Sequence, residues 1–246
     1  EVSQAQLTDG IHPAQQRLAF EELLAHQLSL RQLHCQIRQQ NGARFTTEYH
    51  LRKQFLGALP YQLTGAQQRV INEIEQDLIQ PHPMQRLVQG DVGSGKTVVA
   101  AMAALAAIES GYQAVLMAPT ELLAEQHYRN FAEWLQPLGI EVQMLASKQK
   151  AKQRQQALAN LASGDSQMIV GTHALFQEGV EFARLGLVII DEQHRFGVHQ
   201  RLALKEKGAQ AGIVPHQLIM TATPIPRTLA MSVFADLDCS TIDELP

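Results

Sequence analysis

The chain has 246 residues, 45% hydrophobic and 18% charged, without long low-complexity tracts, which is enough to bury a core and sets aside disordered and fibrous classes. A net charge of -4 is not that of a globally basic nucleic-acid binder, so any contact with DNA or RNA must rest on local patches or backbone groups. Cys35 and Cys239 are the only cysteines and show no CxxC spacing, which argues against a disulfide framework or a zinc cluster and for a reducing, intracellular compartment.

The first ten residues, EVSQAQLTDG, lack the basic and apolar regions of a signal peptide, and the chain is expected to start inside a longer protein. Phe20, Leu23, Leu24 and Leu28, then Leu30, Leu33 and Ile37, recur at helical spacing, so residues 13–40 read as one long amphipathic helix that needs a partner surface. Asn41-Gly42 breaks it, and after a short connection Thr64 can cap a second helix carrying Val70, Ile71, Ile74 and Leu78, ended by Pro81-His82-Pro83. From Met84 onward, apolar strand-like runs at 86–89, 114–118, 142–145, 168–171, 187–191 and 218–221 alternate with helices starting near Lys96, Thr120, Lys148, Thr172, Gly197 and Pro226. Such alternation predicts an α/β fold with a mostly parallel sheet flanked by helices. The apolar run 98–108 is too short to cross a bilayer and reads as a buried helix, so no membrane span is expected.

Directly after the first of these strands stands Gly90-Asp91-Val92-Gly93-Ser94-Gly95-Lys96-Thr97, a full GxxxxGK[ST] phosphate loop followed by a helix. Its glycines let successive backbone N–H groups turn toward phosphate oxygens, and the helix start adds partial positive charge at the same place. Lys96 is expected on the β- and γ-phosphates, and the Thr97 hydroxyl on magnesium. A dinucleotide fingerprint is the rival, but the third glycine is missing and Lys96 and Thr97 follow instead. The run Leu187-Val188-Ile189-Ile190 ends in Asp191 and Glu192, the arrangement that brings a magnesium carboxylate beside a phosphate loop. Asp191 would hold the metal through water, and Glu192 would orient or deprotonate the attacking water. His194 and His199 lack the HExxH context of a zinc site, and His194 instead suits a γ-phosphate sensor or a hydrogen-bonded network.

Taken together the motifs form an ordered set. Gly90 to Thr97, Ala118-Pro119-Thr120-Glu121-Leu122, Val170-Gly171-Thr172-His173, Asp191-Glu192-Gln193-His194 and Thr221-Ala222-Thr223-Pro224 resemble motifs I, Ia, Ib, the DExH box and motif III of superfamily-two helicases. The wordings LPYQLTGAQQ, DEQHRFGVHQR and TATPIPRT are similar to the bacterial branched-DNA helicases, with the transcription-repair coupling factors as the nearest confusable relatives. The resemblance implies a RecA-like ATP-binding lobe over residues 58–246, preceded by a helical linker over 1–57 from a wedge domain. It implies ATP and Mg2+ as cofactors and forked or branched DNA as substrate in recombination and repair. It also implies a second RecA-like lobe of the same parent as partner, a monomer, and a bacterial cytoplasmic location on the nucleoid.

Residue by residue, the resemblance places Gln67 on the adenine edge, with Tyr61 or Phe55 either stacking on the base or simply packing. It places Pro119, Thr120, Gly171 and Thr172 on the DNA backbone, which needs no positive domain charge, and makes Gln193, Thr221 and Thr223 the coupling residues. Lys148, Lys150, Lys152 and Arg154 form a basic run that suits either a phosphate-backbone grip or a solvated helix face. Arg195, Arg201 and Arg227 lie near the motifs, but the catalytic arginine of such motors comes from the second lobe. Nothing like motifs IV to VI is present, so this stretch alone is expected to bind nucleotide weakly and hydrolyse it slowly or not at all. A non-catalytic nucleotide- and DNA-binding module is the reading from a different class.

Overall fold

A computed structural model of the chain describes residues 12–46, 48–146, 151–177, 179–191, 212–223 and 237–245. It divides into two compact units, Glu1–Gln39 and Gln40–Pro246. The first consists, among the described residues, of helix α1 (Pro13–Arg38). Proline at its first position gives up no helical hydrogen bond there, and His12 Nδ1 accepts from the Ala14 N–H as the cap. Phe20, Leu23, Leu24 and Leu28 lie exposed along it.

The second unit starts with a two-residue strand, β1 (Asn41–Gly42), followed by α2 (His50–Ala58) and α3 (Gly65–Leu78). The α3 terminus forms where the sequence places it, because Thr64 and Gln67 close a reciprocal capping box: Gln67 N donates to Thr64 Oγ1 at 3.2 Å and Thr64 N to Gln67 Oε1 at 3.0 Å. The unit takes in α2, whereas the lobe was expected to begin at residue 58. Helix α2 is held there by a side chain no periodicity would assign to a core. Arg52 is 3% exposed and pairs with Glu75 on α3 and with Glu109.

Strands β2 (Gln85–Gly90), β3 (Gln113–Met117), β4 (Val142–Leu145), β5 (Met168–Gly171), β6 (Leu185–Asp191), β8 (His216–Thr221) and β9 (Asp238–Ile242) form one sheet. Its order is β4-β5-β3-β6-β8-β2-β9 and every pairing is parallel. The expected strands are all present within two residues at either end. Strand β9 was not expected, and neither was the parallel β1 pairing with β7 (Ile213–Val214). The period-2 geometry of strands divides their side chains between two cores. Leu187 and Ile189 join the layer of α3, α4 (Lys96–Glu109) and α5 (Glu121–Leu135), while Val188 and Ile190 join that of α6 (Ala151–Ser163).

Helix α4 is apolar all round and buried without a break from Val98 to Ile108. It is the buried helix expected from that run, and this packing fixes the start of α4 against the sheet edge. The helix expected from Thr172 is only a 3-10 turn, His173–Phe176. Gln177 then turns extended and Gly179 takes a positive φ of 83°, too soon for a second turn. The helix starts expected at Lys148, Gly197 and Pro226 lie outside the described residues.

Candidate functional site

Because the strands of this sheet are all parallel, their carboxyl ends gather at one edge, where open α/β sheets bind ligands. The register sets what meets there. Asp191 pairs with Met220, Met220 with Val88 and Thr221 with Gln89, so Asp191 and the loop leaving Gly90 are separated by one intervening strand. Two strand spacings correspond to roughly 10 Å.

The loop itself turns on Gly93 and Gly95, with φ of 86° and 85°, a region closed to most side chains. A Cβ on Gly95 would also collide with the Gln67 amide. Helix α4 starts at Lys96, so its first unpaired N–H groups face the loop. Lys96 Nζ donates to the carbonyls of Gly90 and Asp91 at 2.7 and 2.8 Å. Ser94 Oγ is buried without a hydrogen-bond partner among the described residues.

Asp191, the last residue of β6, accepts from His127 Nε2 at 2.7 Å on Oδ2. His127 comes from the buried face of α5, with Ala124, Phe131 and Leu135. Sequence reasoning passed over it, although that spacing marks a histidine at a core position of the helix after motif Ia. Lys96, Thr97, His127 and Asp191, together with Gly93 and Gly95, line one open cavity of about 620 Å³. A magnesium ion takes oxygen ligands, and a hydroxyl and a carboxylate facing one phosphate cradle fit it.

The other expected residues fall around this edge. Thr221 and Thr223 share a 2.8 Å hydroxyl contact at the end of β8. Thr120 is exposed and caps α5 through its hydroxyl, which accepts from Leu123 N at 3.3 Å; Pro119 precedes it. Gly171 ends β5, its carbonyl accepting from Ala118 N at 2.9 Å, and the buried Thr172 hydroxyl has no partner among the described residues. Gln67 reaches the phosphate loop rather than open space: its Nε2 donates to the Ser94 carbonyl at 2.8 Å.

Phe55 is only 1% exposed and its ring packs on Trp134 at 5.8 Å, so it is a packing residue, whereas Tyr61 is 44% exposed. Lys152 is exposed on α6, and Arg154 reaches Gln177. Glu192, Gln193, His194, Arg195, His199, Arg201, Arg227, Lys148 and Lys150 lie outside the described residues. Among the described residues no helix is long and apolar enough to cross a membrane.

Comparison with known proteins gives a consistent answer. The family model for DEAD/DEAH box helicases matches residues 64–232, beginning on the capping threonine of α3. The chain is similar to ATP-dependent DNA helicase RecG of Haemophilus influenzae, 62% identical over 246 residues, covering 100% of this chain and 36% of the relative. The same-named protein of Escherichia coli strain K12 is 63% identical over 240 residues, covering 98% of this chain and 35% of the relative. The chain thus spans about a third of the length of the curated relatives it matches. A solved structure of RecG bound to a three-way DNA junction is 42% identical with a TM-score of 0.82, covering 94% of this chain and 30% of that one. The yeast DEAD-box splicing factor Prp28, at 16% identity and a TM-score of 0.61, covering 84% of this chain and 52% of that one, shares the fold.

Proposed function

Because this chain belongs to the DEAD/DEAH box helicase family, we propose that it is the first RecA-like lobe of an ATP-driven DNA translocase that remodels branched DNA in recombination and repair. The observation that carries the reading is the cavity that Lys96, Thr97 and Asp191 line together at the carboxyl edge of a parallel sheet. The amides of Gly93 to Thr97 and the Lys96 ammonium hold the terminal phosphates of ATP. Thr97 and Asp191 are the residues that hold magnesium, which when bound neutralises charge on the transferring phosphoryl group. Glu192 is assigned to the attacking water and His194 to the γ-phosphate. The carbonyls that Lys96 now holds are given up when its ammonium turns to phosphate.

Pro119, Thr120, Gly171 and Thr172 stand at the ends of adjacent strands and are assigned to the DNA backbone. The hydroxyls and N–H groups of Thr120 and Thr172 suit phosphate oxygens, which reconciles DNA binding with a net charge of -4. Gln193, Thr221 and Thr223 are assigned to coupling between the two sites, and Gln67 to the adenine edge. Branched DNA as substrate is supported by the similarity to RecG proteins over nearly the whole chain and by the junction-bound RecG structure. The same similarity favours this reading over a coupling-factor translocase. A second lobe and a wedge domain of the same parent complete the motor, which acts as a monomer in the bacterial cytoplasm at the nucleoid.

Substituting Lys96→Ala should weaken binding of a fluorescent ATP analogue in the presence of magnesium by roughly a hundredfold, the scale of a lost charge-assisted contact. Unchanged affinity would overturn the assignment. In the parent protein, ATP hydrolysis should rise with forked DNA more than with linear DNA. Indifference to all DNA would instead support a nucleotide switch.

A further inference from the structure

We propose that His127 is a positioning residue that orients the Asp191 carboxylate for its metal, a role that rests on the reading of Asp191 as the magnesium carboxylate. The contact joins two elements far apart in sequence, α5 and the end of β6, at 2.7 Å. A carboxylate only accepts, so the ring N–H at Nε2 donates to Oδ2, and one of the two carboxylate oxygens is thereby committed to the protein. Strand pairing with Met220 already fixes the Asp191 backbone. The imidazole then restricts the remaining side-chain rotation, so that the carboxylate presents one orientation to the cavity.

Packing does not explain a histidine at this position. His127 is 8% exposed among Ala124, Phe131 and Leu135, and its other ring nitrogen, Nδ1, is buried without a hydrogen-bond partner among the described residues. An orphaned buried polar atom opposes folding, and a leucine on the same helix face would fill the space without it. The one thing a leucine lacks is the N–H aimed at Asp191. Partners of this kind, one step removed from a metal, fix ligand orientation and commonly tune affinity for the ion.

The test is a magnesium titration of fluorescent ATP-analogue binding by the 246-residue chain carrying His127→Leu, His127→Gln or His127→Asn. Leucine should raise the magnesium concentration for half-maximal binding about tenfold, a shift much larger than any change it makes to binding in magnesium-free buffer. Glutamine, whose amide nitrogen reaches about as far as imidazole Nε2, should restore the requirement to within about threefold. Asparagine, one bond shorter, should behave like leucine. In an Asp191→Asn background, His127→Leu should change nothing further.

An unaltered magnesium requirement in His127→Leu would overturn the inference. So would equal impairment of all three variants, the mark of a packing role. Urea unfolding serves as the second readout: a leucine variant as stable as the parent chain supports positioning, and a leucine variant much less stable points to the core. Binding by the unsubstituted chain that ignores magnesium would instead overturn the reading of Asp191 itself.

Discussion

Helix α4 runs between two ends of the sheet that treat their buried polar groups in opposite ways. At the carboxyl edge, Ser94 Oγ, His127 Nδ1 and Thr172 Oγ1 are buried without hydrogen-bond partners among the described residues. At the far end of α4 the buried polar groups are satisfied. Arg52 donates to Glu109 at 2.7 Å, to Glu75 at 2.9 Å and to the Glu48 carbonyl, and lies 3.9 Å from the Tyr49 ring centre. His216 uses both nitrogens, accepting from Met84 N at 2.8 Å and donating to the Ala43 carbonyl. Gln113 donates to the carbonyls of Leu161 and Ser166 and accepts from Arg184 N. Gln40 Oε1, where the chain enters this unit, is an exception. Unmet hydrogen-bonding capacity costs stability, so its occurrence along the carboxyl edge, from the phosphate loop to the end of β5, marks the edge that meets a ligand, and the satisfied end marks where folding energy is secured.

The sharpest way to break this division is Arg52→Ala. It strands the Glu109 carboxylate, 5% exposed, in a low-dielectric site and should cost about 3–5 kcal/mol in urea unfolding. Nucleotide affinity of the folded fraction should stay unchanged; a parallel loss of affinity would show that the two ends are not separable.

A smaller effect comes from pH. Burial pushes His216 down to about 4, only partly opposed by its bond to the Ala43 carbonyl and helped by nearby His82. As pH falls, the unfolded chain therefore takes up this proton before the folded one. The stability is fully present above the unfolded value near 6.5 and is lost toward 4, about 2 kcal/mol of it by pH 5. His216→Gln should flatten that part of the stability profile between pH 7 and 5. A slope that survives the substitution would mean that another group sets it.

What could be read in advance divides along the same line. The phosphate loop, the strands from β2 to β6 and β8, and Asp191 announce themselves because glycine spacing, apolar runs and a terminal carboxylate are local signals. Helix α2 was missed because its core-facing residues are Arg52 and Phe55, and an arginine at a core position erases the amphipathic pattern. Strand β9, reading Asp-Cys-Ser-Thr-Ile, is an edge strand with only Ser240 and Ile242 buried, and β1 is two residues long. Both are defined by partners distant in sequence. His127 carries meaning only once β6 delivers Asp191 to it, which no single-helix pattern can reveal.

The mildest expected effect concerns the residue that joins the phosphate loop to a helix cap. Gln67 lies at the carboxyl edge yet is fully satisfied, its oxygen on the Thr64 N–H and its amide on the Ser94 carbonyl. Thr64→Ala removes the hydroxyl that accepts from Gln67 N, but leaves both side-chain bonds of Gln67 in place. It should cost about 1 kcal/mol in urea unfolding, as for other caps, with no change in nucleotide affinity. Gln67→Ala should lower both, because it also frees the loop carbonyl. If Thr64→Ala alone weakens nucleotide binding, cap and loop act as one unit, and the brace that Gln67 supplies depends on a helix end rather than on its own two bonds.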